Sequence, residues 1–487
     1  MPHYQHLYEY VYQSLVMQME CGYLSQGRKL PSQAELCQQY NVGITTVRKA
    51  VRLLADRGYI RPCAGQAAEI IYSAPPKACA AALLRRRDGI LDAYRGLGRL
   101  MPALYCAGAQ RAGTDTLRGM ERAAADITEG QTQQEIYENA NRFFRALLLP
   151  FENPLLMDLQ SDAEHYLRVP YLPLSGIPDP FLLSAQTVKN SLSETLQQVR
   201  KGQLDGLQCR LKAMYRQSGA VMKDYLDALS SVADPDGTSD AAYDWFRSKG
   251  RTEVYVQIAM SLLRRISTGE FTGMEYLPSI PRLMREYGIM KNTASNAVSL
   301  LCSLGVTRTL DKRGTILNPD GMAQGVKRID FQDPTVRQRL VLCLDALQIM
   351  ALTARSSADT IFPHIQRDDL PFMDTGYIHA ADLHPASVMV QLGMGCLIHF
   401  APNHALRNIY FQLNEVMLLG YYLQAKAWAP AASSAAVREM LQTFITAAKE
   451  ADLQTFSAAL EEAFTYIYRQ MRMVLSALCY PDLPAEL

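Results

Sequence analysis

The sequence lacks the patterns that define several common classes of protein. Its 10 cysteines are scattered singly, without a CxxC pair, and this distribution indicates neither a zinc module nor a disulfide framework. The chain has no uncharged apolar run of the roughly 18 residues needed to span a membrane. Its N-terminus, MPHYQHLYEYVYQ, is too polar for a signal peptide. These absences predict a cytoplasmic protein that has no membrane partner.

Motifs of catalytic sites are also missing. There is no G-x-S-x-G sequence, P-loop or dinucleotide-binding glycine pattern. The most enzyme-like cluster places His379 and His384 five residues apart in a segment interrupted by proline. Because that spacing does not put both imidazoles on one helix face, we interpret these histidines as surface or packing residues. We predict that the chain is not an enzyme and binds no cofactor.

Charge is small overall but unevenly distributed. The net charge is +1 over 487 residues, a length that suggests three or four domains. Between Arg28 and Arg61 there are seven Lys or Arg and two acidic residues, and between Arg247 and Arg313 there are eleven and five. A local basic surplus of this kind is expected of a module that faces phosphates.

The two basic stretches share one pattern. The first reads LPSQAELCQQYNVGITTVRKAVRLLADRGYI from Leu30, and the second reads LPSIPRLMREYGIMKNTASNAVSLLCSLGVT from Leu277, 247 positions later. Each contains two short amphipathic patterns around a turn, with a helical pattern before them and two strand patterns after them. This order predicts a winged helix-turn-helix in both stretches.

Local signals in the first stretch predict where its helices begin and end. Ser32 is a suitable N-cap and Glu35 completes a capping box. Thr45 is expected to cap the third helix, and Gly58 is expected to end it. The apolar stripe that this helix should bury consists of Val47, Ala50, Val51 and Leu54.

The rest of the chain reads as helical, and parts of it echo each other. Residues 151–156 align with residues 401–406, which suggests that a whole half of the chain is duplicated. The predicted fold is therefore mainly α, with two winged helix-turn-helix domains, each followed by an all-α helical-bundle domain of the effector-binding kind. The predicted divisions are winged domain 1–75, helical domain 76–232, linker 233–246, winged domain 247–320 and helical domain 321–487.

The sequence around LPS, the turn and TTVRKAVRLLADRGYI resembles the DNA-binding domain of the GntR transcriptional regulators. Residues 88–95 and 141–148 resemble the helical effector domain of the FadR-like branch of that family. Members of the family bind palindromic operators as homodimers, so a chain with two copies resembles a covalent pseudo-dimer. The resemblance implies a sequence-specific DNA-binding transcriptional regulator, and it favours a repressor over an activator. The protein would be either a pseudo-dimeric monomer or a homodimer.

The resemblance also implies which residues contact double-stranded DNA. In the first copy the candidates are Arg28, Ser32, Thr45, Thr46, Arg48, Lys49, Arg52 and Gly65. In the second copy they are Ser279, Lys291, Asn292, Thr293, Asn296, Lys312, Arg313 and Gly314. The copies depart from the family differently, because family arginines are replaced by Ala34, Ile44, Pro281 and Ser295.

The helical domains depart from the family as well. Many effector domains of this branch hold a metal with one Asp and three His, and one of those histidines aligns with Phe144 and Met394. Neither side chain supplies the nitrogen or oxygen donor that a first-row metal needs, so we predict no metal. For a small-molecule effector, the candidate residues are Arg95, Arg99, Arg142, Tyr105 and Tyr166. The competing hypothesis is an interaction or structural protein whose winged domains no longer read sequence.

Overall fold

The computed structural model describes residues 7–487 with gaps. The described residues exclude positions 21, 23, 41, 64–65, 173, 175–176, 178, 180–184, 235–242, 246–253, 268–269, 272–273, 304–305, 312, 318–330, 332–333, 366–384, 428–430 and 481–482.

The first three-helix region, residues 7–70, consists of three helices and a two-stranded antiparallel sheet. Its elements are α1 (Leu7–Glu20), α2 (Gln33–Tyr40), α3 (Ile44–Asp56), β1 (Ile60–Cys63) and β2 (Gln66–Ile70). In the sheet, Ile60 pairs with Ile70, and the register shifts between Arg61 and Cys63. The loop before α2 joins this sheet through a bridge between Lys29 and Glu69. The helices and the wing therefore form one continuous unit.

Capping and apolar spacing account for this region. The Ser32 backbone N–H donates to the Glu35 carboxylate at 2.7 Å, and the Glu35 N–H donates to Ser32 Oγ at 3.2 Å, which confirms the capping box. The Thr45 cap was wrong, because α3 already begins at Ile44 and its N-cap is Gly43, without a side-chain hydrogen bond. The Thr45 hydroxyl is thus not used as the cap of α3.

The first helical region follows the wing. Its elements are α4 (Pro76–Arg85), α5 (Arg87–Gln110), α6 (Thr114–Ala125), α7 (Gln133–Leu148), α8 (Pro154–Leu167), α9 (Ala185–Arg200) and α10 (Leu204–Leu229). Helix α5 is central, and an approach to α7 at Gly108 is so close that a Cβ there would lie 2.0 Å from the Leu147 carbonyl oxygen. Only glycine fits that contact.

The second three-helix region, residues 254–317, has the same order of elements. They are α11 (Val254–Ser267), α12 (Ile280–Tyr287), α13 (Lys291–Ser303), β3 (Thr307–Leu310) and β4 (Gly314–Leu317). The strands pair antiparallel, and the segment before α12 joins them through a bridge between Tyr276 and Ile316.

The second helical region completes the described chain. Its elements are α14 (Pro334–Ile361), α15 (Pro385–His399), α16 (His404–Ala427), α17 (Ala431–Glu450) and α18 (Leu453–Ala477). Among the described residues, one helical stretch, Val336–His364, is long and apolar enough to cross a membrane, but 72% of its apolar window is buried inside the protein. A core helix has these same properties.

The described chain divides into two compact units that do not follow the halves of the sequence. Unit 1 contains residues 1–148, 158–251 and 403–408, and unit 2 contains residues 149–157, 252–402 and 409–487. Within unit 1, the Asn403 side chain donates to Asp92 Oδ1 at 3.1 Å. Within unit 2, the Asn153 side chain donates to Gln348 Oε1 at 2.8 Å. Each unit thus includes a short segment from the other half of the sequence.

The predicted linker, residues 233–246, contains buried aromatic side chains near its end. Tyr243 is 1% exposed and Trp245 is 0% exposed. The Trp245 backbone N–H donates to Asn408 Oδ1 at 2.7 Å, and its indole N–H donates to Asp158 Oδ2 at 3.3 Å. This part of the predicted linker belongs to the core of unit 1.

Candidate nucleic-acid interface

Helix α3 presents a basic face to solvent and an apolar face to the core. Val47, Ala50 and Leu54 are buried, as predicted, and Val51 is half-buried. Thr46 is half-buried as well. The remaining candidates on this helix are exposed, namely Thr45, Arg48, Lys49 and Arg52. An exposed helix face with three cations is suited to the major groove, where arginine binds guanine through its O6 and N7 atoms.

Two of these cations already have neighbours within the protein. Arg48 Nε donates to Gln33 Oε1 at 3.3 Å, and Lys49 Nζ lies 5.8 Å from the centre of the Tyr8 ring. Both contacts involve exposed or half-exposed groups, so they restrict the side chains without burying their charge. The Gln33 contact links α3 to the start of α2.

The loop before α2 and the wing supply further donors. Arg28 and Ser32 are exposed, and Lys29 Nζ donates to Gln66 Oε1 on β2 at 2.9 Å. The Leu30 N–H donates to the Ala68 carbonyl at 2.7 Å, which fixes this loop against the wing. Gly65, the predicted wing glycine, lies outside the described residues. Backbone N–H and hydroxyl groups in such a loop are common phosphate ligands.

In the second three-helix region, the candidates again lie mostly at the surface. Thr293 is half-buried, whereas the exposed candidates are Ser279, Lys291, Asn292, Asn296, Arg313 and Gly314. Gly314 has φ = 113°, and a Cβ there would lie 3.4 Å from the Tyr276 ring. Lys312 lies outside the described residues. Asparagine can bond adenine at N6 and N7, so Asn292 and Asn296 offer a chemistry different from that of Arg48.

The matching helices of the two regions carry different numbers of cations. Helix α3 carries three, whereas α13 carries only Lys291. Helix α2 has none, whereas α12 exposes Arg282 and Arg285. Our sequence analysis did not select these two arginines, although the pattern IPRLMREY, with Leu283 buried, would place both away from the core.

The predicted effector residues lie in different surroundings in the first helical region. Arg95 is exposed. Arg99 Nη1 donates to Asn403 Oδ1 at 2.7 Å, and Arg142 forms an ion pair with Asp126 at 3.4 Å. Both guanidinium groups therefore already interact with protein groups. Their positions alone do not define one anion site.

The two predicted effector tyrosines belong to the interior. The Tyr105 hydroxyl donates to Gln160 Oε1 at 2.6 Å, and burial raises the Tyr105 pKa well above its ordinary value. Gln160 also donates to the Glu164 carboxylate, whose pKa burial raises. The Tyr166 ring contacts the Arg86 guanidinium at 4.8 Å. Tyr105, Gln160 and Glu164 thus form a hydrogen-bonded chain from α5 to α8.

The two positions aligned with a family metal ligand are apolar and buried. The Phe144 ring packs against Tyr105, with ring centres 5.2 Å apart, and Met394 is fully buried. Within the described ranges, no group of three or more His, Cys, Asp or Glu side chains could hold a metal ion. Three of the remaining histidines, His364, His399 and His404, are exposed, and His379 and His384 lie outside the described residues. The residues present do not fit the family's metal.

Comparison with known protein families identifies the kind of domain that the first three-helix region forms. Residues 7–70 match the model of the family described as bacterial regulatory proteins, gntR family. No curated protein matches the chain in sequence. Residues 7–70 therefore form a GntR-type DNA-binding helix-turn-helix domain. The family is one of transcriptional regulators rather than of enzymes.

The solved structures that are similar to the chain include two whose titles name GntR proteins. Streptococcus agalactiae GntR has 17% identity and a TM-score of 0.21, over 44% of this chain and 99% of that chain. A GntR-family transcriptional regulator from Pseudomonas syringae pv. tomato str. DC3000 has 19% identity and a TM-score of 0.24, over 46% and 88%. E. coli McbR/YncC has 16% identity and a TM-score of 0.23, over 45% and 98%. TM-scores this low carry no argument about the overall fold.

Proposed function

We propose that the chain is a sequence-specific transcriptional regulator in which residues 247–320 form a second winged helix-turn-helix, so that one polypeptide acts as a covalent pseudo-dimer. The observation that carries this proposal is the exposed basic face of α3 in a GntR-type domain, together with the repetition of that domain's internal bonds in residues 254–317.

The repeated bonds include a side-chain pair. In the first region, Ser14 Oγ and the Tyr40 hydroxyl lie 3.0 Å apart. In the second region, Ser261 Oγ and the Tyr287 hydroxyl also lie 3.0 Å apart. Both second-region residues lie 247 positions after their counterparts, which is the spacing of the two LPS sequences. A polar pair repeated at this spacing supports common descent of the two regions.

Backbone bonds repeat at the same spacing. The Leu30 N–H donates to Ala68 O at 2.7 Å, and the Leu277 N–H donates to Thr315 O at 2.8 Å. The bond from Tyr59 N–H to Leu54 O, at 2.9 Å, is matched by one from Val306 N–H to Leu301 O, at 3.0 Å. The first pair fixes the loop before the second helix, and the second pair fixes the entry to the wing. These repeated bonds support the proposal that residues 254–317 form a second winged domain.

The helical regions support the pseudo-dimer. Asn153 and Asn403 occupy matching positions in the echoed segments, and each is buried in a unit formed mainly by the other half of the sequence. Asp92 on α5 accepts from the Asn403 side chain and from the Ala405 N–H, the latter at 2.8 Å. Asp345 on α14 accepts at its backbone carbonyl from Asn153 at 2.9 Å. Each half of the sequence thus contributes one short segment to the unit formed mainly by the other half, and such an exchange is reciprocal, as the self-complementary contacts of a twofold dimer are.

In this proposal each winged domain binds one half-site. Half-sites read by helix-turn-helix dimers lie about one helical turn apart, and a covalent link raises the effective concentration of the second reader to roughly the millimolar range. Because the exposed residues of α3 and α13 differ, the two half-sites should differ as well. Occupation of both by a single chain suits repression, since the bound protein competes with other proteins for that DNA.

We also propose that the helical domains respond to a small molecule. The hydrogen-bonded chain from Tyr105 to Glu164 supplies polar groups in an otherwise apolar interior. A few polar groups among apolar ones are typical of ligand sites.

The test of the DNA-binding proposal is selection of random duplex DNA on the full-length protein. We expect an enriched motif with two unlike half-sites, one damaged by Arg48→Ala and the other by Lys291→Ala. Arg118→Ala is the matched control, because Arg118 is exposed on α6, far along the sequence from both winged regions, and loses the same charge. Full binding by this variant would show that the losses in the other two variants come from the position of the removed side chain and not from the change in net charge.

Two results would contradict the proposal. A single half-site unaffected by Lys291→Ala would show that the second region does not read DNA. No enrichment above salt-sensitive background would favour an interaction protein, for which the near-neutral face of α13 provides the supporting observation.

A further inference from the structure

An exposed apolar side chain lies at the N-terminal end of α3, which is the end that would contact DNA in the proposed function. Within the described part of residues 7–70, Ile44 is the one large hydrophobic side chain left exposed, at 40%. It is the first residue of the helix. Its neighbour one turn along is Arg48, so the isoleucine belongs to the basic face rather than to the core stripe.

The second region has an exposed apolar side chain at the corresponding end. Met290 immediately precedes α13 and is 81% exposed. Its neighbours Lys291 and Asn292 are both exposed. In both regions, therefore, a large apolar group projects beside polar groups suited to DNA.

Covering such a side chain on binding would remove apolar surface from water, which favours the bound state. A purely apolar protein partner is disfavoured, because covering Ile44 would also desolvate the adjacent Arg48. The major groove of DNA offers both required features, since phosphates and base edges match the cations and the thymine C5-methyl group is apolar. Residues at the N-terminal end of a recognition helix are those that contact base edges.

We propose that Ile44 and Met290 each recognise the C5-methyl group of a thymine, one in each half-site. The proposal rests on the function proposed above and specifies one part of it: the operator has a thymine next to the base bound by Arg48 and another next to the base bound by Lys291 or Asn292.

The experiment uses the duplex selected on the full-length protein. Each thymine is replaced in turn by deoxyuridine, which keeps every hydrogen-bonding group and lacks only the methyl. Loss of one buried methyl contact is expected to weaken binding about fourfold. We expect one such position in each half-site for the unsubstituted protein.

The variants assign each position to one side chain. Ile44→Ala should remove the deoxyuridine effect in the first half-site and leave the second unchanged, and Met290→Ala should do the reverse. Ile44→Val, which is one methylene smaller, should retain part of the effect and serves as the conservative variant. Far-ultraviolet circular dichroism of each variant establishes that its helices are intact.

Two outcomes would overturn the inference and leave the proposed function standing. One is a selected duplex that tolerates deoxyuridine at every position. The other is a deoxyuridine effect that persists unchanged in both alanine variants. Failure of the selection to enrich any sequence would be different, because it would reject the proposed function together with this inference.

Discussion

The first and second three-helix regions, residues 7–70 and 254–317, share several internal bonds but differ in their exposed surfaces. Buried Leu54 corresponds to buried Leu301, and Tyr40 corresponds to Tyr287. In contrast, Arg48 corresponds to Ser295. Core positions and backbone bonds are constrained by packing, whereas a solvated helix face can change without loss of the fold. The sequence similarity between the two regions therefore indicates a shared fold, whereas it does not indicate that the DNA-contacting residues are shared.

The distribution of cations suggests that the two regions contribute differently to DNA binding. In winged helix-turn-helix proteins, the third helix reads bases, while the flanking helix and the wing mainly contact phosphates. The first region has three cations on α3, whereas the second has one on α13 and two on α12, Arg282 and Arg285. Each region also has an exposed arginine at the matching position of its first strand, Arg61 on β1 and Arg308 on β3. We expect the first region to contribute most of the sequence preference and the second to contribute mainly salt-dependent affinity.

The largest effect should come from matched core truncations. Leu54→Ala and Leu301→Ala each remove a fully buried side chain, and each should cost about 2–5 kcal/mol of unfolding free energy. Hydrogen exchange followed by mass spectrometry would report the loss in the peptides of each region separately. Ser299→Ala, on the exposed face of α13, is the control. Near-wild-type protection in Leu301→Ala would show that the second region is not packed like the first.

The second largest effect concerns base reading. Arg48→Ala should weaken binding to the selected duplex by about 1–3 kcal/mol and relax the preference at one base pair. Ser295→Ala, at the matching position, should have little effect because a short hydroxyl does not reach a base edge in the same way. Fluorescence anisotropy with single-base variants of the duplex would measure both. Equal losses of binding free energy in the two variants would contradict the expectation that the first region contributes most of the sequence preference.

A smaller contrast lies in the tyrosine pairs. The Tyr40 hydroxyl accepts from Gln18 Nε2 at 2.8 Å, whereas the Tyr287 hydroxyl accepts from Arg265 Nη1 at 3.0 Å. A bond to a charged group contributes more, so Tyr287→Phe should cost about 1.5 kcal/mol and Tyr40→Phe about 1 kcal/mol. Urea unfolding monitored by hydrogen exchange in each region would detect the difference. A larger cost in the first region would show that the charge of Arg265 is already satisfied by its ion pairs with Glu270 and Glu286.

Much of this comparison could be predicted from the sequence, because it depends on local signals. The capping box at Ser32 and Glu35 and the buried stripe of α3 follow from side-chain spacing along a helix. The Thr45 prediction failed because Gly43 starts the helix with backbone geometry alone, which a residue-type preference does not reveal.

Features that depend on long-range packing could not be predicted. The inclusion of residues 403–408 in unit 1 and the burial of Trp245 join segments more than 160 positions apart in the sequence, as in the bond from Trp245 to Asn408. No periodic pattern records such partners. The exposure of Arg282 could have been predicted from the amphipathic pattern of α12. The contact between Arg48 and Gln33 depends on how α2 and α3 pack in the folded protein.

The smallest predicted effect is a pH dependence of α2 that the matching helix α12 should lack. Hydrogen bonds from the Ser32 backbone and side chain lower the pKa of Glu35 below its ordinary value. Because the folded pKa is the lower one, the stabilisation is present above the unfolded pKa and is lost as pH falls through the folded pKa. In the second region Arg282 stands at the corresponding position, and Ser279 makes no capping bond. Glu35→Ala should therefore reduce exchange protection of α2 at neutral pH, and the difference from wild type should shrink in acid, whereas Arg282→Ala should show no such trend. A difference that stayed constant with pH would mean that Glu35 acts through packing rather than through its charge.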